Sequence, residues 1–161
     1  MKRIIFLLLF AGIAFSCEKE YYTSIPDYPV NLELSLVGLD FKLNTNLAYE
    51  RVTQIGPGLS GLTQLGFGGI LVINGMGENT VNLYAYDLSC PVEAQRNVLV
   101  VPDNLSSSAS AVPTAITATC PKCGAVFTIA TGTGAPKSGT KYFLKSYRVV
   151  DSGYGKYLVI N

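Results

Sequence analysis

Apolar and polar residues alternate over residues 30–36. Val30, Leu32, Leu34 and Leu36 are apolar, with Asn31, Glu33 and Ser35 between them. That period of two predicts a half-buried strand. A glycine-rich stretch from Gly56 to Gly69 predicts loops and turns. Gly69-Ile-Leu-Val-Ile73 has no polar break and reads as a buried strand. Asn74-Gly75-Met76-Gly77 reads as a hairpin turn, with Val81 to Tyr86 as the partner strand. Val98 to Val101 is a further short strand, and Leu105 to Ala111, with four serines, is a surface loop. Ala115 to Thr119 and Ala125 to Ala130 read as strands on either side of C-P-K-C. Tyr142 to Val150 and Lys156 to Ile160 form a second hairpin around Asp151 to Gly155. No stretch of the mature chain shows a helical period. Short strands punctuated by Gly and Pro predict an all-β antiparallel sandwich or barrel.

The first residues follow a different pattern. Lys2 and Arg3 precede an apolar run from Ile4 to Phe15, broken by Gly12. A bilayer span needs about 20 apolar residues. This run fits the shorter core of an export signal. Ala14 and Ser16 precede Cys17 at −3 and −1, which resembles a bacterial lipobox. Phe15 at −2 is bulkier than usual there. The expectation is a signal peptide over 1–16, lipidation of Cys17, and a lipid-anchored protein of a Gram-negative cell envelope, on the outer membrane. Residues 17–28 carry charge and Pro26, with Pro29 just after them, and read as a tether. Its acidic start resembles a surface-display signal, so both faces of the membrane stay open. Residues 29–161 form one domain.

Composition narrows the function. The sequence is 48% hydrophobic and 14% charged, the balance of a packed domain. Lys2 and Arg3 leave with the signal, so the mature part carries 10 basic and 11 acidic residues, a formal charge of −1. There is no basic run, and nucleic-acid binding lacks its electrostatic footprint. Histidine is absent. Histidine-dependent triads, His-ligated zinc and histidine acid–base catalysis are thereby excluded. Ser107 to Ser110 have no partner base. Gly66-Phe-Gly-Gly69 precedes a strand and lacks a P-loop Lys, so phosphate binding is not expected. Tyr84, Tyr86, Tyr142 and Tyr147 read as core or sheet-face residues.

Three cysteines remain besides Cys17. Cys90 opens C-P-V-E; Cys120 and Cys123 lie in C-P-K-C-G-A-V-F. In each motif Pro fixes the backbone after the thiol, and Gly124 permits a tight turn. These motifs resemble the two cluster loops of Rieske-type 2Fe–2S domains, C-P-H and C-P-x-H-G-x-x-F. Cys90-Pro91 matches the first loop, and Cys120-Pro121, Gly124 and Phe127 match the second. The flanking segments Gly69 to Ile73, Leu83 to Asp87, Ala135 to Gly139, and Leu144 with Tyr147-Arg-Val149 resemble the strands and Pro loop around such a cluster. The resemblance covers most of residues 65–160 and is poor over 29–64. It implies a Rieske-like sandwich with a small inserted subdomain at roughly 88–130. Histidine-free domains of this kind, loosely labelled ferredoxin subunits of nitrite reductase, also occur as lipoproteins.

The departure from that pattern falls on the ligands. A Rieske cluster takes two Cys on one iron and two His on the other. Here the histidine positions hold Val92 and Cys123. Three cysteines also fall one short of a four-cysteine cluster, and Glu93 and Asp87 are the carboxylates nearest in sequence. Three readings of Cys90, Cys120 and Cys123 follow. The resemblance brings the two loops together, which implies a disulfide of Cys90 with Cys120 or Cys123 in an oxidising compartment. Such a bond would add about 3–4 kcal/mol in the chain-entropy model. Cys-x2-Cys is also metal-ligand spacing, for zinc or an atypical iron–sulfur cluster completed by a carboxylate or water. The third reading is a redox dithiol at Cys120 and Cys123 with Lys122 favouring a thiolate; it lacks the helix that such motifs open. The leading functional expectation is a membrane-anchored, non-catalytic binding or structural module on a degenerate Rieske-like scaffold, with no bound group required. The alternative is an electron carrier with an atypical centre.

Overall fold

A computed structural model describes residues 22–56, 59–77, 81–106, 108 and 111–161. The export signal and Cys17 lie outside the described residues, as do parts of the expected first hairpin turn and of the serine loop. The all-β expectation holds. Among the described residues there is no α-helix, only a short 3-10 turn at Phe41–Asn44. The strands are β1 (Val30–Ser35), β2 (Tyr49–Val52), β3 (Gln64–Leu65), β4 (Ile70–Asn74), β5 (Leu83–Asp87), β6 (Val101–Asn104), β7 (Ala115–Thr119), β8 (Val126–Thr128), β9 (Pro136–Ser138), β10 (Ser146–Gly153) and β11 (Lys156–Ile160).

They form two antiparallel sheets. The larger has the order β2-β4-β5-β10-β11-β1-β3, and the smaller β6-β7-β8-β9. The smaller sheet lies wholly within the connection between β5 and β10, which makes it an insertion. This insertion runs past the expected limit of 130, because β9 returns to pair with β8 through Val126–Ser138 and Phe127–Pro136. The sequence hides β9 because it begins with Pro, which strands tolerate only at edges and ends. β6 begins at Val101 rather than Val98; before it, Leu99 bridges Ser89.

The uninterrupted apolar run of β4 has a clear cause. Ile70 and Val72 face one core, with Leu32, Leu34, Ala85 and Val159. Leu71 and Ile73 face a second core, with Tyr86, Leu88, Phe127 and Ile129. Every residue of β4 is buried. A strand covered on both faces needs apolar side chains on both, each contributing about 1.5–3 kcal/mol on burial. The second core fills the space between the two sheets and includes Cys90 and Cys120. Of the four tyrosines, Tyr86 and Tyr147 are buried, while Tyr84 is half-buried against this core. Tyr142 is off the strands and stacks with Tyr22, ring centres 5.4 Å apart.

The tether expectation needs correction over its described part. Residues 22–28 run along the domain. The Tyr22 carbonyl accepts from the Phe143 amide, the Ser24 hydroxyl donates to the Pro91 carbonyl, and Asp27 pairs with Lys145. Ile25 is buried. One apolar side chain and one charge are enough to dock a segment whose charge and proline suggested only a spacer.

The β10–β11 hairpin closes tightly. Gly153 pairs with Lys156, leaving Tyr154 and Gly155 as a two-residue turn with φ of 55° and 71°. Two positive φ values match the twist of a type I′ hairpin. Tyr154 is 97% exposed, so nothing offsets its left-handed backbone. Tyr154→Asn is expected to raise stability by about 1 kcal/mol, since Asn adopts this region at lower cost. Urea unfolding would read this as a higher midpoint; an unchanged or lower midpoint would contradict it.

Candidate metal centre

The two Cys-Pro motifs fold alike. After β5 the chain forms a turn in which the Ala94 amide donates to the Cys90 carbonyl at 2.9 Å. After β7 the Gly124 amide donates to the Cys120 carbonyl, also at 2.9 Å. Each turn ends on a left-handed residue, Ala94 at φ 49° and Gly124 at φ 71°. Each first cysteine is pinned by its own amide, Cys90 to the Val98 carbonyl and Cys120 to the Ala125 carbonyl, both at 2.9 Å. The motifs therefore correspond residue for residue: Cys90 with Cys120, Pro91 with Pro121, Val92 with Lys122, Glu93 with Cys123, and Ala94 with Gly124.

The turns bring the three sulfurs together. All lie within 4.8 Å of one another, and Cys90 Sγ is 3.6 Å from Cys123 Sγ. Cys90 and Cys120 are buried and Cys123 is exposed. The expected disulfide is not formed: all three are free thiols. The 3.6 Å separation far exceeds the roughly 2.05 Å of a sulfur–sulfur bond. Instead of pairing two sulfurs, the turns aim three at a common point.

Backbone donors support negative charge there. Burial pushes the Cys90 thiol up to about 12, opposed by the backbone N–H groups of Glu93 and Val92. Burial also opposes ionisation of Cys120. There the Cys123 and Lys122 amides, together with the neighbouring thiols, win and hold Cys120 below the ordinary thiol value. Without a cation the sulfurs cannot all ionise, since like charges this close repel. The Lys122 ammonium does not serve Cys120 alone; it pairs with the Glu93 carboxylate across the two turns at 2.5 Å.

Asp87 has a different role from the ligand considered for it. It is fully buried and accepts from the Phe67 amide at 2.8 Å, the Gly68 amide at 3.1 Å, the Ser89 amide at 2.7 Å and the Tyr147 hydroxyl at 2.7 Å. Burial, and then the charge of Asp87, raise the Tyr147 hydroxyl far above its ordinary value, so it stays a donor. The glycine-rich turn before β4 does present amides to an anion, but the anion is this internal carboxylate. A Cβ on Gly68 would stand 1.9 Å from Ser89 Oγ, and one on Gly66 would stand 2.4 Å from the Tyr147 hydroxyl. That explains the glycines without a phosphate. Composition and spacing gave no sign of this hub. Its one sequence signal is an acidic residue ending a strand next to a glycine-rich turn.

Val92, at the first Rieske histidine position, is exposed and offers no donor atom. A cluster with two imidazoles does not fit these residues. A single thiophilic ion does: at about 2.3 Å to each sulfur, tetrahedral geometry sets sulfurs about 3.8 Å apart, against the 3.6 Å between Cys90 and Cys123. The dithiol reading also lacks its helix, since Cys123 leads through Gly124 into β8.

No family model matches the chain, and no curated protein matches it. Among solved structures, the chain is similar to one described as the complex of reduced oxygenase and oxidized ferredoxin in carbazole 1,9a-dioxygenase. The likeness is at 16% identity, with a TM-score of 0.44, and covers 81% of this chain and 93% of that one.

Proposed function

We propose that this protein is a lipid-anchored module of a bacterial cell envelope, and that its Rieske-like scaffold holds one structural zinc ion rather than a redox cluster. The observation that carries this reading is the convergence of Cys90, Cys120 and Cys123 on one point between two matching turns. Three thiolates clustered within one ion's reach suit a mononuclear centre, whereas a two-iron cluster divides its ligands between two irons. The ion would join the β5 turn to the β7–β8 turn, and so clamp the inserted sheet to the larger one. It would also keep three adjacent thiols from oxidising in a compartment without cytosolic reductants. Its role is to stabilise; the module then works by binding a partner in the envelope. Lipidation of Cys17 follows from the lipobox-like sequence. Five further residues reach Tyr22, and an extended chain covers at most about 17 Å over that length. Because Ser24 bonds to Pro91, the anchor would hold the cysteine end of the domain near the membrane.

The competing electron-transfer reading separates by colour. The full chain, exported under anaerobic conditions and purified in detergent, is expected to be colourless, with no visible band that dithionite bleaches. A brown protein with a reducible visible band would overturn the non-catalytic reading.

A further inference from the structure

We infer that Glu93 is the fourth ligand of this centre, held in reserve by Lys122 when no ion is bound. The inference rests on the three-cysteine reading above and goes one step beyond it. Its basis is the correspondence of the two turns. In the second turn the sulfur donors are its first and fourth residues, Cys120 and Cys123. In the first turn the same two positions hold Cys90, a sulfur donor, and Glu93, a carboxylate. Two turns of one conformation that bring Cys90, Cys120 and Cys123 together place the remaining fourth position on the same side of the centre.

The side-chain environment agrees. Glu93 is mostly buried, with 17% of its side chain exposed, whereas Lys122 is 52% exposed. Its carboxylate already crosses from its own turn to the other one, where it meets the ammonium of the residue before Cys123. Asp87, the other nearby carboxylate, has all its capacity taken by three amides and a tyrosine hydroxyl. Val92 has no donor atom. Glu93 is thus the nearby carboxylate whose described ion pair is with the exposed Lys122, outside the three clustered sulfurs until an ion draws it in.

On binding, the coordinating thiols release their protons to water, the carboxylate leaves the Lys122 ammonium for the metal, and Lys122 turns to solvent. The result is a closed site of three thiolates and one carboxylate. Closed four-coordinate sites are structural, while catalytic zinc keeps an open position. Glu93 therefore decides which kind of site this is.

Cobalt(II) titration of the reduced, metal-free full chain in detergent tests the assignment, because cobalt reports ligand number in its visible and charge-transfer bands. Glu93→Gln should weaken binding by at least about tenfold, since even partners one shell further out cost about 10–100-fold. Its d–d bands should also shift. Glu93→Cys should tighten binding and increase the thiolate-to-cobalt charge-transfer band, which shows the position reaches the ion even if Glu93→Gln folds poorly. Equal affinity and equal spectra in wild type and Glu93→Gln, with no added charge transfer in Glu93→Cys, would overturn the fourth-ligand assignment and leave the three-cysteine centre standing. A wild-type chain that binds no cobalt would sink both.

Discussion

Cys120→Ser is expected to reduce bound zinc from about one ion per chain to less than about a tenth, because a structural site draws its affinity from all its thiolates together. Cys120 is the buried anchor of the second turn, and its sulfur receives the amides of Cys123 and Lys122. Serine keeps the shape and loses the thiolate. The same loss should lower the melting temperature, since the proposed ion would join the two turns that the Lys122–Glu93 pair also bridges. Val92→Ala is the matched control. It sits in the equivalent turn, at the position where the Rieske pattern places an imidazole, and its side chain is exposed. It should keep its metal. Elemental analysis of the two purified variants checks this; full zinc in Cys120→Ser would contradict it.

Asp87→Ala should be the most destabilising single change outside the centre, at about 3–5 kcal/mol. It strands the half-buried amides of Phe67 and Gly68, the buried amide of Ser89 and the Tyr147 hydroxyl, and each unpaired buried group costs about 1–3 kcal/mol less what water recovers. Tyr147→Phe removes only one of those bonds and should cost about 1–2 kcal/mol. The order of the two variants in urea unfolding is the check. If Asp87→Ala unfolds no more easily than Tyr147→Phe, the carboxylate is not the hub. The hub lies close to the centre, because the Ser89 amide it holds belongs to the residue before Cys90. Asp87→Ala should therefore weaken metal binding as well.

Much of the fold was legible where one physical signal dominated. Alternation placed β1, because a sheet face with one wet side imposes period two, and β7 and β11 agree with their expected ends. β2 and β9 were not legible. β2 pairs on one side only and is at most half-buried, so Tyr49-Glu-Arg-Val52 shows no clean alternation. β9 starts on a proline. The full extent of the insertion was not legible for the same reason, since β9 closes it.

The centre was legible as a set of residues but not as an arrangement. Cys-Pro spacing picked out Cys90, Cys120 and Cys123. Nothing in the spacing separated a disulfide from a cluster of free thiols, because that depends on where two turns 30 residues apart place their sulfurs. The match of the two turns is likewise absent from the letters: C-P-V-E-A and C-P-K-C-G share only the first two, and Ala94 reaches the left-handed conformation that Gly124 takes easily. Only the folded backbone aligns Glu93 with Cys123.

The most direct test of the three-thiolate centre is a joint count of metal ions and reactive thiols on the full chain, exported, purified in detergent, then denatured with a chelator. The account predicts one zinc per chain and three thiols released together, from Cys90, Cys120 and Cys123. Metal well below one per chain with a single free thiol would contradict it, since two of the cysteines would then be paired and could not serve as ligands.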